Sequence, residues 1–376
     1  MHNNKLELDN AVLVGVGVGN NIEEHDLDEL SSLCLTCNIK EVARVIQNRK
    51  DIDVTYYVGK GKVEEIKELV DKHDATVVVF DVELSGSKAR NLEMALGVPV
   101  LDRSKVILDI FAQRAQSMEG KLQVELAQLR YNLPRLRNSP IEIMAKMKNS
   151  VGMRGPGEKK LELDKRSIRD EITLLEKKLE SVSLNRETNR KRASSSGKTR
   201  VAIVGYTNSG KSTLLNTISK AGVVAEDKLF ATLDPKTANV YLKNENIDYT
   251  NDKKGSGVGA PGYQILMTDT VGFINKLPHE FIRAFESTLD EARQADLLLH
   301  VVDIANPEYE QQIQVVNQVL AKIGADHIPI IMVYNKADSN RLFKDKGGVI
   351  ISAKKNTGID QLKQKIIEFI EKRQLK

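Results

Sequence analysis

One octet dictates most of what the C-terminal half of this chain can become: Gly205-Tyr-Thr-Asn-Ser-Gly-Lys-Ser212, set between the apolar run Thr199–Tyr206 and the helical stretch Thr213–Ser219. A G-x-x-x-x-G-K-S loop needs a strand to deliver it and a helix to receive it. Its glycines let the backbone curl so that successive amides face phosphate oxygens, and the helix N-terminus adds a favourable dipole. The octet therefore demands an α/β domain. Gly205, Tyr206, Thr207, Asn208, Ser209, Gly210, Lys211, Ser212 and Thr213 are the candidate phosphate-binding residues. Lys211 is expected to neutralise the terminal phosphates and Ser212 to offer its hydroxyl to Mg2+.

Later segments follow in the order such a site requires. Thr232, in Phe230-Ala-Thr-Leu-Asp-Pro235, stands where a loop can close over a γ-phosphate and give Mg2+ a second hydroxyl, with Phe230 beside it. Asp269-Thr-Val-Gly-Phe273 ends the strand Ile265–Thr270, which suits a carboxylate holding the metal through water and a Gly272 amide that senses the γ-phosphate. Asn335-Lys336-Ala-Asp338 ends the strand Ile330–Tyr334. Asp338 can accept from guanine N1–H and the 2-amino group together, a donor pair adenine lacks. Ser352-Ala353-Lys354 ends the strand Val349–Ile351 and can meet the guanine oxygen through a backbone amide. Five segments in order, each at a strand's C-terminal end, predict a Ras-like P-loop domain over 199–376 that binds GTP and GDP.

The position after Gly272, where Ras-type domains place the glutamine that orients water, is Phe273. A phenyl ring cannot position water, so hydrolysis is expected to be slow until a partner stimulates it. Lys211, Thr232 and Gly272 are the candidate catalytic residues. Asn208 joins them if it helps hold a monovalent cation such as K+ against the phosphates, the alternative being that it only shapes the loop.

A chain of 376 residues has room for two or three domains, and 41% hydrophobic with 29% charged residues is ordinary globular composition. Strand-like and helix-like segments alternate over 1–103: Ala11–Val18, Leu27–Cys37, Val42–Ile46, Val63–His73, Thr76–Val82, Ser85–Leu96 and Val98–Leu101. That rhythm predicts a small N-terminal α/β domain with a mainly parallel sheet. Over 104–192 the period turns helical. Leu108, Phe111, Ala115, Met118 and Leu122 make one seam, resumed at Leu126, Leu129 and Leu133; Ile168, Ile172, Leu175, Leu179 and Val182 make a second. Two seams joined by the Gly-rich loop 149–158, with Pro134 and Pro140 bounding the first, predict an antiparallel, coiled-coil-like helical hairpin, followed by a linker at 193–198.

The net charge of +4 hides an asymmetry. Residues 135–200 hold 18 lysines and arginines against 9 aspartates and glutamates, a local +9 that leaves −5 elsewhere. With no tryptophan in the chain, any nucleic acid would be held through phosphates and shape, not stacking. The alternative is a solvated helix face. Cys34-x-x-Cys37 falls at the end of a helical stretch and supplies two of a zinc ion's four ligands, so it reads as two small buried hydrophobes. Gly15-Val-Gly-Val-Gly19 reads as a turn after a strand, Gly59-Lys-Gly-Lys62 as a helix-opening turn, and Gly255–Gly262 as a flexible hairpin insertion. No apolar run approaches the roughly 18 residues of a membrane span, which together with scarce cysteines makes a cytoplasmic location the expectation.

The phosphate loop, Leu229-Phe-Ala-Thr-Leu-Asp-Pro235 and Asp269-Thr-Val-Gly-Phe-Ile274 resemble the HflX family of GTPases. So do Val58-Gly-Lys-Gly-Lys-Val-Glu-Glu-Ile66, Asp81-Val-Glu-Leu-Ser85, Leu101-Asp-Arg-Ser104, Ile110-Phe-Ala-Gln-Arg-Ala115, Lys121-Leu-Gln-Val-Glu-Leu-Ala-Gln-Leu129 and Arg154-Gly-Pro-Gly-Glu158, so that the likeness covers nearly the whole chain. The resemblance implies a GTPase that binds the large ribosomal subunit and separates the subunits of stalled or idle ribosomes. Arg154, Gly155, Gly157, Lys159 and Lys160 would approach ribosomal RNA. The family's loop usually reads Gly-Gly-x-Gly-Thr-Arg-Gly-Pro-Gly-Glu-Thr, where this chain has Asn149-Ser-Val-Gly-Met-Arg-Gly-Pro-Gly-Glu-Lys159. That change, and a longer connection between Leu242 and Ile265, is expected to alter ribosome affinity before nucleotide binding. A ribosome assembly or regulatory switch without splitting activity, and an RNA-stimulated ATPase or helicase working through the N-terminal domain, are the alternatives. A monomer is expected.

Overall fold

The computed structural model describes residues 9–136, 156–194, 198–219, 229–230, 233–243, 262–276, 286–339, 343 and 347–374. The chain divides into two compact units, 1–182 and 183–376.

In the first unit four parallel strands, β1 (Asp9–Val18), β2 (Ile39–Arg49), β3 (Val77–Phe80) and β4 (Val100–Asp102), stand in the order β2-β1-β3-β4. Side chains alternate across a strand, so Val12, Val14 and Val16 of β1 share one face with Val78 and Phe80. That face packs Val63, Ile66 and Val70 of α2 (Lys60–Lys72) and Leu92 and Leu96 of α3 (Gly86–Leu96). Leu13 is equally buried, which is why β1 is apolar from Ala11 onward, as a strand covered on both faces must be. α1 (Asp28–Thr36) and α4 (Arg103–Arg114) pack on each other and on β2 and β4. Gly59 is the N-cap of α2, so the glycine–lysine tetrad opens a helix as expected. Gly15 and Gly17 lie within β1, with Gly19 in the turn that follows.

The predicted first hairpin seam is not one helix. Ser117 accepts a hydrogen bond from the Gly120 amide at 2.9 Å and starts a new helix, α5 (Met118–Asn132). Asp102 caps α4 by accepting from Lys105 at 2.9 Å. Leu108, Phe111 and Ala115 are buried, but Met118 is 73% exposed, because the break at Ala115–Ser117 turns the stripe away. The second seam is as predicted. On α6 (Pro156–Ser194), Leu175 is buried and Ile168, Ile172, Leu179 and Val182 are half-buried, and Glu176 pairs with Arg130 of α5 at 2.6 Å. α6 begins at Pro156, so the last three residues of the predicted loop are helical, since proline lacks the amide that a helix's first position leaves unused. Residues 149–155 with Arg154 and Gly155, Pro140, and linker residues 195–197 lie outside the described residues. Of Gly157, Lys159 and Lys160 the backbone alone is described, as helix.

Among the described residues the second unit carries six strands: β5 (Thr199–Gly205), β6 (Lys236–Lys243), β7 (Gly262–Asp269), β8 (Leu297–Asp303), β9 (Ile330–Asn335) and β10 (Val349–Ile350), in the order β10-β9-β8-β5-β7-β6. β6 alone runs antiparallel. Leu214, Leu215 and Ile218 of α7 (Lys211–Ser219) and Leu362, Ile366 and Ile370 of α10 (Ile359–Gln374) pack on one core with Val201, Ile203, Leu299 and Val333. Tyr309 and Ile313 of α9 (Tyr309–Lys322) pack against Val302, Ile304 and Tyr334. A further helix, α8 (Glu286–Arg293), precedes β8. Most of the connection between Leu242 and Ile265, 244–261, lies outside the described residues, and so does the predicted Gly255–Gly262 insertion save for Gly262.

Candidate functional site

The loop 205–210 leaves the C-terminal end of β5 in the middle of the sheet, where both neighbouring strands, β7 and β8, run parallel to it. Ligands of open α/β sheets bind at that edge. Asn208 takes φ 60° and is exposed, a left-handed conformation that asparagine tolerates and that fits the loop-shaping reading. Gly210 takes φ 94°, and a Cβ there would fall 2.2 Å from Asn335 Nδ2.

That contact exposes the brace of the site. Asn335, 3% exposed, donates from Nδ2 to the Ser209 carbonyl at 2.8 Å and accepts at Oδ1 from the Ala353 amide at 3.0 Å. One carboxamide thus joins the phosphate loop to the 352–354 turn. Thr217 of α7 adds a bond from its hydroxyl to the Ala353 carbonyl at 3.0 Å. Nearby, Ser352 donates to Asp338 at 2.6 Å and holds that carboxylate below its ordinary range. Lys336, at φ 66°, pairs with Asp303 at 2.6 Å. Lys354 is exposed.

The ionic centre lies under the loop. Lys211 is buried and donates to the Tyr206 carbonyl at 2.7 Å, and burial pulls its ammonium from the usual 10.5 down to about 8 against the opposing pull of Asp269. Ser212 donates to Asp269 Oδ2 at 2.6 Å, so two hard oxygen donors stand side by side. The Thr207 and Ser209 hydroxyls are buried with no hydrogen-bond partner among the described residues. Gly272 is pressed so close that a Cβ would lie 2.8 Å from Thr207 Cγ2 and 3.0 Å from Lys211 Nζ. A hydroxyl beside a carboxylate suits a hard divalent cation, and unmatched hydroxyls with a buried ammonium suit phosphate oxygens, so the residues present fit a magnesium nucleotide.

The Phe230 ring is buried at φ 54°, and Thr232 lies outside the described residues. Thr213 belongs to the first turn of α7, and its carbonyl accepts from the Thr217 hydroxyl at 2.8 Å. Sequence reasoning missed His300, 1% exposed on β8, whose imidazole is held down to about 4 by burial and then by Lys211. A histidine inside the apolar run Leu297-Leu-Leu-His-Val-Val302 was the available signal. The cysteines behave as expected of buried hydrophobes: Cys34 is fully and Cys37 partly buried, and burial pushes both thiols up to about 12.

Comparison with known proteins places this geometry. Residues 24–112 match the family model described as GTP-binding GTPase N-terminal, 114–193 the GTP-binding GTPase Middle Region, and 200–336 the 50S ribosome-binding GTPase. Similar proteins include the GTPase HflX of Lacrimispora saccharolytica, 47% identical over 94% of this chain and 81% of its own length. That of Caldanaerobacter subterraneus subsp. tengcongensis is 44% identical over 95% and 79%, and that of Escherichia coli 41% over 95% and 82%. The crystal structure of the SsGBP and GDP complex is similar at a TM-score of 0.50, with 26% identity over 96% of this chain and 98% of that one. Three family models placed end to end, and relatives more than 40% identical over more than nine-tenths of the sequence, show that the chain belongs to the HflX family of GTPases.

Proposed function

We propose that the chain binds GTP with Mg2+, docks on the large ribosomal subunit, separates the subunits of stalled or idle ribosomes, and leaves after slow hydrolysis that the ribosome stimulates. The observation that carries this reading is the joining of a magnesium-nucleotide geometry to the match of residues 200–336 with the 50S ribosome-binding GTPase model. The +9 of 135–200 supports it, since lysines and arginines neutralise RNA phosphates.

Lys211 and the loop amides would hold the phosphates, Ser212 and Asp269 with Thr232 the metal, Gly272 the γ-phosphate, and Asp338 with Ala353 the guanine. Bound Mg2+ would neutralise charge on the β- and γ-oxygens. The buried Phe273 supplies no group that orients water, so stimulation is expected to come from outside; K+ held by Asn208 is one contributor. Arg154, Gly155, Gly157, Lys159 and Lys160 would meet RNA. The domain plan is a head, a basic helical hairpin and a GTPase domain. Among the described residues no helix is long and apolar enough to cross a membrane, and we infer action as a monomer in the cytoplasm, where ribosomes are.

Sucrose-gradient profiles of intact ribosomes with this protein and a non-hydrolysable GTP analogue test the reading. Conversion to separate subunits, with protein on the large one, is expected. Co-sedimentation with intact ribosomes would favour a regulatory switch instead, and no co-sedimentation would remove the ribosome from the account. Turnover that is equal in K+ and Na+ would remove the cation role of Asn208.

A further inference from the structure

Tyr206 is 8% exposed and reaches three working parts of the site at once. Its carbonyl accepts from Lys211 Nζ at 2.7 Å, its backbone makes a parallel bridge with Phe273, and its hydroxyl accepts from the Asn275 amide at 2.7 Å. The bridge is framed by Thr207 donating to the Phe273 carbonyl at 2.7 Å and Phe273 donating to the Gly205 carbonyl at 3.1 Å. The segment after Gly272 is therefore fastened to the phosphate loop at Phe273 and again at Asn275, while β7 fixes the side before it through Asp269. Between those fastenings Gly272 lies close to Thr207 and Lys211. Backbone bonds are open to almost any sequence. The phenol bond alone depends on which side chain stands at 206.

We propose that Tyr206 is a positioning residue: its hydroxyl couples the phosphate loop to the segment 272–275 and so keeps the Gly272 amide where a third phosphate arrives. A diphosphate does not reach that amide. Loss of the hydroxyl therefore weakens triphosphate binding more than diphosphate binding. The inference rests on the GTPase reading above, and GDP binding by the unaltered protein separates the two: its absence sinks that reading, whereas the comparison below sinks only this one.

The test is Tyr206→Phe, which keeps the ring, with Asn275→Pro, which removes the donor, and the double variant. Affinities for GDP and for guanosine 5′-(β,γ-imido)triphosphate are measured on each preparation, and their ratio cancels differences in active fraction. Each single variant is expected to weaken the triphosphate analogue about fivefold or more against GDP, the double variant no further than the worse single one. A ratio unchanged in Tyr206→Phe, a ratio shifted toward the triphosphate, or effects that add in the double variant would each overturn the proposal. A Tyr206→Phe protein too unstable to bind GDP would also overturn it, since that marks a hydroxyl needed for the fold and not for placing the Gly272 amide.

Discussion

Raising the pH from 7 to 8.5 should weaken GDP binding about fourfold, and the reason is the burial of Lys211. Its ammonium titrates at about 8 in the free protein because the site strips it of water more than Asp269 compensates. In the role proposed for Lys211, nucleotide phosphates would hold it charged, so the complex would carry a proton that part of the free protein has lost. Binding takes up about half a proton at pH 8 and less than about 0.1 at pH 7, and affinity falls accordingly as pH rises. The window stops short of the guanine's own ionisation. Stability of the free protein moves the other way. An unfolded lysine keeps its proton up to 10.5, so between 8 and 10.5 the unfolded chain binds more protons and stability rises with pH, by about 3 kcal/mol in total. Titration calorimetry of GDP in buffers of different ionisation enthalpy measures the uptake directly. A proton count near zero at pH 8, or an affinity that is level from 7 to 8.5, would refute the reasoning.

Other outcomes follow from contacts described above. Asn335→Ala orphans the Ser209 carbonyl and the Ala353 amide, two buried groups at about 1–2 kcal/mol each, so GDP affinity should fall about 30-fold or more; a fluorescent GDP titration showing less than about threefold would contradict the brace. Asp338→Asn should lose GDP and gain xanthosine diphosphate, because the amide can donate where xanthine carries oxygen; equal GDP affinity in the variant would remove Asp338 from base recognition. Asp81→Ala strips one carboxylate, 2.6 Å away, from the 3% exposed Arg103 guanidinium, and urea unfolding should report a loss of about 3–5 kcal/mol, whereas a loss under about 1 would show that Glu29 suffices. At pH 8 neither Cys34 nor Cys37 should react with a disulfide reagent until the head unfolds, since burial leaves almost no thiolate; prompt labelling would revive a redox or metal role.

The alternation of the head was legible because uninterrupted apolar strands such as Val77–Phe80 sit between capped helices, each with local punctuation at Ser85 or Gly59. The break between α4 and α5 was not. Its two stripes share a spacing of three and four, and a lone Ser117 decides between a cap and a helix interior. β6 escaped for a related reason: in Lys236–Lys243 the buried residues Val240 and Leu242 alternate among polar ones, a weak signal without its partner strand. The phosphate loop, Asp269 and Asn335 were readable because their chemistry demands fixed residue types at fixed spacings. The Asn335 bond to Ser209 spans 126 positions and the Tyr206 bond to Asn275 spans 69, and no local pattern encodes partners so distant.

The carboxamide of Asn335 also limits how this domain can diverge. Base and phosphate are usually pictured as separate modules that selection can retune one at a time. Here a single side chain is bonded to both the 205–210 loop and the 352–354 turn, the segments proposed to hold phosphate and base, and Gly210 has no room for even a methyl group beside it. A drift at 335 or 210 would damage both functions together, leaving Asp338 and its Ser352 partner as the place where an engineer can rewrite nucleobase preference without loosening the grip on phosphate.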